Sequence, residues 1–237
     1  MKNSIFVSFV NFLIFGQLVL AIANHAFATP PECKNYPIGH NQVLNLHSGG
    51  KVWSAEFSPD GNSIVTASGD STAIVYNLKT KESQKIQHSR LVNSAQFSPD
   101  GNSVVTASAD GTALVTNLKT KASQVIQSSD WVNSAQFSPD GNSIVTASDD
   151  RTATVYNLKT KVSQKIQHSA GVISAQFSPD GISVVTASRD GTAIVYNLNT
   201  KESKVIQHSG WVRSAQFSPD GGSVVTASDD GTSIVYN

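Results

Sequence analysis

A chain of 237 residues with 39% hydrophobic content is long enough to bury one sizeable core. Its 17 Lys and Arg balance 17 Asp and Glu, so there is no basic field to recruit nucleic acid or an anionic lipid surface. Cys33 is the single cysteine, which excludes an internal disulfide and leaves the core to hold the fold.

Residues 1–28 begin with the cation Lys2, continue through an apolar run over residues 5–22, and end in Ala26-Phe27-Ala28. That order of charge, apolar centre and small-x-small exit predicts a secretory signal peptide cut after Ala28, and a periplasmic or secreted location. An uncleaved membrane anchor is the competing reading, since the run approaches bilayer thickness. After cleavage no membrane association is expected. Residues 29–41, with Pro30, Pro31, Pro37 and no periodicity, read as an irregular leader.

From residue 42 onward everything is repeat. Ser94-Ala95-Gln96-Phe97-Ser98-Pro99-Asp100-Gly101 recurs at Ser54, Ser134, Ser174 and Ser214, with Glu56 for Gln as the only change. A fixed period near 40 residues with strand-like content is the spacing of a four-stranded propeller blade. In the second unit, residues 92–98 alternate as a half-buried strand, and Pro99-Asp100-Gly101 supplies the hairpin turn. Residues 103–108 form a β-branched inner strand; after the Asp110-Gly111 reversal come strands over 112–117 and 122–127. Residues 42–46 correspond to a fourth strand, and the chain stops after a third. The expected fold is therefore an all-β propeller of five four-stranded blades over residues 42–237, closed by the opening strand completing the last blade. A monomeric ring is preferred, with an intertwined or open oligomer as its rival.

The unit resembles the WD-repeat propeller family. The residues that carry the resemblance are His88, Phe97 to Gly101 of the first hairpin, Ala107-Ser108 and Asp110, and the pair closing the third strand. Where the family has Trp-Asp, this chain has Tyr76-Asn77, Thr116-Asn117, Tyr156-Asn157, Tyr196-Asn197 and Tyr236-Asn237; Gly-His becomes Gln87-His88, Gln167-His168, Gln207-His208 and Gln127-Ser128. The resemblance implies a buried hydrogen-bonded network in each blade. By position the sets are His47-Ser68-Asp70-Tyr76, His88-Ser108-Asp110 with Thr116, Ser128 with Ser148-Asp150-Tyr156, His168-Ser188-Asp190-Tyr196 and His208-Ser228-Asp230-Tyr236. His47 is one residue out of register. Ser-His-Asp together also suggests a nucleophilic triad, but a device repeated blade after blade points to structure, since a catalytic site is needed once. The second and third blades, each lacking a member, are expected to be the weaker ones.

Function is sought where near-identical repeats differ. One column reads Lys51, Leu91, Trp131, Gly171, Trp211; a second Trp53, Asn93, Asn133, Ile173, Arg213; a third Gly69, Ala109, Asp149, Arg189, Asp229. In a propeller resembling this family the three columns converge on one rim face, and strand alternation would place residues 91 and 93 on one side. Trp and Arg there are residue types enriched in binding hot spots. The favoured function is a non-enzymatic scaffold that captures a protein or peptide on that face. A glycan-binding propeller is the alternative, and a hydrolase a weaker third. No cofactor or metal is expected: there is no His/Cys cluster at ligand spacing, and the pairs Asp149-Asp150 and Asp229-Asp230 are too few oxygens for a calcium cage.

Overall fold

The computed structural model describes residues 13–14, 17–18, 44–47 and 49–237. The predicted cleavage site and the leader over 29–41 lie outside the described residues. Within the segment read as a signal peptide, Leu13–Ile14 and Gln17–Leu18 form a short antiparallel pair. No helix among the described residues is long and apolar enough to cross a membrane.

The repeat folds as five antiparallel sheets in chain order. Blade one comprises Val52–Phe57, Ser63–Ser68, Thr72–Asn77 and Ser83–Gln87; blades two to four repeat it at intervals of 40 residues. Its first hairpin is dictated locally. In blade two the Ser98 hydroxyl donates to Asp100 at 2.5 Å and accepts the Ser103 amide at 2.9 Å, while Gly101 takes φ +71°, which a Cβ would resist. In the second hairpin Gly111 and Gly191 hold φ near +80°, and Ser71 and Arg151 adopt the same left-handed conformation without glycine's freedom.

The core lies between blades. Val65, Ala67, Ala73, Val75 and Ile86 of blade one close against Val92, Ala95, Phe97 and Val104 of blade two, and the same columns build the following seams. Each blade is thus stabilised by its neighbours, as in other repeat architectures. Tyr156 and Tyr196 pack onto the seams before their own blades. Blade two has Thr116 at this position, and a gap of about 340 Å³ opens there, lined by Ile86, Gln87, Leu114, Thr116 and Lys121 among others. Thr116→Tyr should fill it and raise stability by about 1 kcal/mol, read as an upward shift of the melting transition. An unchanged or lower transition would show that the gap is too narrow for the ring.

Ring closure needs correction. Blade five has three strands, Val212–Phe217, Val224–Ser228 and Ser233–Tyr236. Residues 44–46 form no strand and do not supply a fourth; residues 42–43 lie outside the described residues. Blades one and five do not cover each other either: Phe57 is 64% exposed although its equivalent Phe97 is 4% exposed. The physical reason is the uniformity of the seams. Nearly the same residues meet at each, so no seam is built to turn differently from the rest, and with no strand from residues 44–46 added to Ser233–Tyr236 the contact that would tie the ring shut is not formed.

Candidate functional site

The buried network is present but differs in membership from the expected one. In blade four His168 Nδ1 lies 3.0 Å from Asp190 and Nε2 lies 2.7 Å from the Thr186 hydroxyl. A carboxylate can only accept, so Nδ1 carries the hydrogen and Nε2 accepts from Thr186. Asp190 also accepts from the Thr192 amide and hydroxyl at 2.9 and 2.6 Å and from the Ser169 amide at 2.9 Å. Blades two and five repeat the pattern through His88-Asp110-Thr106 and His208-Asp230-Thr226. His47, despite its shifted register, does the same with Asp70 at 3.1 Å and Thr66 at 2.7 Å. In blade three Ser128 stands in for histidine, 2.5 Å from Asp150 and 2.8 Å from Ser148.

Two corrections follow. Tyr156 and Tyr196 are seam residues rather than network members, and Thr116 bonds the Ser123 hydroxyl at 2.8 Å instead. The hydroxyls of Ser108, Ser148 and Ser188 donate to main-chain carbonyls of the preceding loop, such as Gly171 O at 3.2 Å from Ser188, and in blades two to five each accepts the amide two residues on, as Ser228 does from Asp230; Ser68 accepts the Asp70 amide in the same way. None of these serines is aimed at a histidine, so the recurring Ser-His-Asp is not a nucleophile relay. The threonine partners were missed. Their signal was that Thr66, Thr106, Thr146, Thr186 and Thr226, and Thr72, Thr112, Thr152, Thr192 and Thr232, are invariant across the repeat, which reads as β-branched strand filler.

Burial pushes the His88 and His168 imidazoles below the usual range, against the opposing pull of Asp110 and Asp190. Burial would raise Asp110, but bonds from Thr112, Ser89 and His88 outweigh it and bring its carboxyl to about 2. Asp190 is lowered in the same way. Replacing Asp190 with alanine should cost about 1–3 kcal/mol, because His168 and the Ser169 amide lose a buried acceptor. Equal stability of Asp190→Ala in urea denaturation would contradict the network.

The variable columns do share one rim. In every blade the third-column amide donates to the first-column carbonyl, as Asp149 to Trp131 O at 2.9 Å. The second column sits on a β-bulge in every blade, between Val132 and Ser134 in blade three. A bulge re-aims its side chain, so simple alternation does not describe this column. Asn93 and Asn133 use the new direction to reach across the seam, each donating to a carbonyl of the next blade at 2.8 Å, Val132 O and Val172 O. Ile173 is 3% exposed and belongs to the core. Of these three residues expected to contact a partner, the two asparagines tie neighbouring blades together and Ile173 is buried.

Cations of this rim lie against each of the three tryptophan rings. Arg90 lies 5.2 Å from the Trp131 ring, and Trp211 is contacted by Arg189 at 5.6 Å and Arg213 at 4.9 Å. Lys51 lies 6.0 Å from the Trp53 ring. Arg189 also pairs with Asp149 of the preceding blade at 2.9 Å, and Asp149 accepts from Asn133 at 2.6 Å. Arg213 grips Asp229 through two bonds, at 2.7 and 2.5 Å, which raises the guanidinium pKa and lowers the carboxyl's. Trp131 and Trp211 remain 39% and 45% exposed, and Leu91 is half-buried. Arg90 was missed by the sequence reading, although its column of Gly50, Arg90, Asp130, Ala170 and Gly210 is also variable. Asp149 and Asp150 face different partners, as do Asp229 and Asp230, so neither pair forms a shared oxygen cage. Among the described residues no cluster of His, Cys, Asp and Glu could hold a metal ion.

A family model described as IFT122 first beta-propeller matches residues 36–237. Comparison with curated proteins gives no match.

Proposed function

We propose, from the premise that the chain belongs to the IFT122 first beta-propeller family, a WD-repeat-type domain, that it is a non-enzymatic scaffold that binds a protein or peptide on the rim of blades two to five. The observation that carries this reading is the array of Trp131 and Trp211 with Arg90, Arg189 and Arg213 stacked on them. Arginines held against aromatic rings make a pre-organised, half-exposed surface, the kind of anchor that dominates protein interfaces. Asp149 and Asp229 balance two of the guanidiniums, which favours a partner read by apolar contact and hydrogen bonds over a strongly charged one. Cations over the rings also take up stacking surface that a sugar would need, which weighs against a glycan ligand.

The quadruple variant Trp131→Ala, Arg189→Ala, Trp211→Ala and Arg213→Ala should melt within about 1 kcal/mol of the parent, because these side chains sit on the surface. Peptides selected by display on the parent should bind the variant at least tenfold more weakly. Peptides that bind both equally, or enrichment on a glycan array with none on the peptide library, would overturn the reading. Export is part of the same proposal. It is supported by the Lys2, apolar run and Ala26-Phe27-Ala28 order of the first residues, and recovery of the protein in the cytoplasmic fraction alone would refute it.

A further inference from the structure

The seams in front of blades three and four are closed near their outer strands by a ring and a clip. Tyr156 and Tyr196 pack against these two seams. Across the same seams Lys161 donates to the Gln124 side chain at 2.5 Å and to the Leu158 carbonyl at 2.6 Å, and Lys201 donates to the Gln164 side chain and the Leu198 carbonyl. The seam in front of blade two has neither part. Thr116 stands where the tyrosines stand, and among the described residues no side-chain bond joins Lys121 to Gln84, the counterparts of the clip. What remains is the gap of about 340 Å³, walled by Ile86 and Leu114 and lined also by Gln84, Thr116, Lys121 and Ser123.

We propose that this gap is a binding site for a small aromatic acid, one phenol-sized ring bearing a carboxylate. Its volume lies at the lower end of pockets that take small molecules, about 300–1,000 Å³, so it has room for one ring. The repeat itself sets the ring as the fitting shape. At the next two seams the counterparts of Ile86, Ile126 and Ile166, lie in clusters that a tyrosine ring packs onto, and a ligand ring between Ile86 and Leu114 would restore the contact that Thr116 forgoes.

The polar groups select what the ring carries. Thr116 is 3% exposed and its hydroxyl lies 2.8 Å from that of Ser123. Two hydroxyls hold two hydrogens and their mutual bond uses one, so the pair can still donate to, or accept from, a phenol hydroxyl. Lys85 and Lys121 also line the gap, and among the described residues neither has an ion-pair partner. A carboxylate on the ligand would accept from the Lys121 ammonium in a charge-assisted bond and from the Gln84 amide nitrogen as well. A cationic ligand would be repelled there, and an apolar one would leave both donors without an acceptor. The site is distinct from the tryptophan rim. The strand Thr112–Asn117 leads away from the rim turn at Asp110-Gly111, so Thr116 lies near its far end.

4-Hydroxyphenylacetate is the probe, titrated calorimetrically into the full-length protein. Saturable binding at one site per chain is expected, with a dissociation constant of about 1 mM or tighter for a ligand of this size. Thr116→Tyr places a ring in the gap covalently and should abolish binding. Lys121→Gln changes an exposed side chain and should weaken binding by about tenfold. p-Cresol, which keeps the ring and the hydroxyl but lacks the carboxylate, should bind the parent more weakly by a similar factor. Circular dichroism checks that Thr116→Tyr is folded; should it not be, Lys121→Glu carries the test, since a reversed charge at the mouth should abolish binding. Absence of saturable binding by the parent, which would mean that the gap holds water alone, overturns the proposal. So does undiminished binding by folded Thr116→Tyr or by Lys121→Glu, or p-cresol binding as tightly as the acid.

Discussion

Phe177→Ala is expected to destabilise the protein by about 3–5 kcal/mol, and Phe57→Ala by less than about 1 kcal/mol when measured at dilute, monomeric concentration. The two side chains occupy the same column of the same repeat. Phe177 is buried in the seam between blades three and four with Val145, Ala147, Ala153, Val155 and Ile166, so its loss removes apolar contact and leaves a cavity that the flanking strands cannot collapse into. Among the described residues no blade precedes Phe57, which is already mostly in water. Chemical denaturation of the two variants under identical conditions checks the contrast. Equal costs would mean that Phe57 is covered in solution even in the single chain, and the open arc would then be wrong.

Glu56→Gln is expected to stabilise the protein by about 2–3 kcal/mol at pH 8 and by almost nothing at pH 4. Glu56 replaces the glutamine found in the other four copies, on the strand that faces blade two. Burial pushes its carboxyl up to about 7, although bonds from the Phe97 amide and the Gln96 side chain partly oppose this. The sign runs against the usual carboxylate. Below about 4.5 both folded and unfolded chains are protonated and the residue is neutral in effect. As pH rises from there to about 7 the unfolded chain releases its proton first, so folding loses stability, and above 7 the loss is complete. Glutamine accepts and donates in the same place without a charge to bury. The difference between parent and variant unfolding free energies, followed from pH 4 to pH 8, isolates this group from the histidines. A flat difference would mean that Glu56 reaches water.

Much of the fold was legible because it is local. Pro99-Asp100-Gly101 sets a hairpin through its own dihedrals and the Ser98 hydroxyl, and the β-branched run at Val104-Val105-Thr106 sets a strand, so strand bounds and blade content follow from short-range chemistry repeated five times. The His-Asp pairing was also legible, through the resemblance. Threonine's part in it was not, because a hydrogen-bonding threonine and a strand-filling threonine look alike in sequence.

The rim was half legible. Variation among near-identical copies marked Trp131, Arg189, Trp211 and Arg213, because exposed positions are released from the packing that holds the core columns constant. It also marked Asn93 and Asn133, which vary and yet bind blades together, and Ile173, which varies and yet is buried. Their direction depends on a bulge that period-two alternation does not contain. Ring closure was decided by tertiary structure alone. The complementary strand count at the two ends suggested a closed circle, but the turn per blade is a property of how Val, Ala and Phe side chains interlock across a seam. That angle has no local signature. The sequence by itself determined the blade, its turns and the columns that differ; only the packing of one blade on the next decided how far five blades turn, and so left Phe57 and Val225, core residues by composition, facing solvent at the two ends.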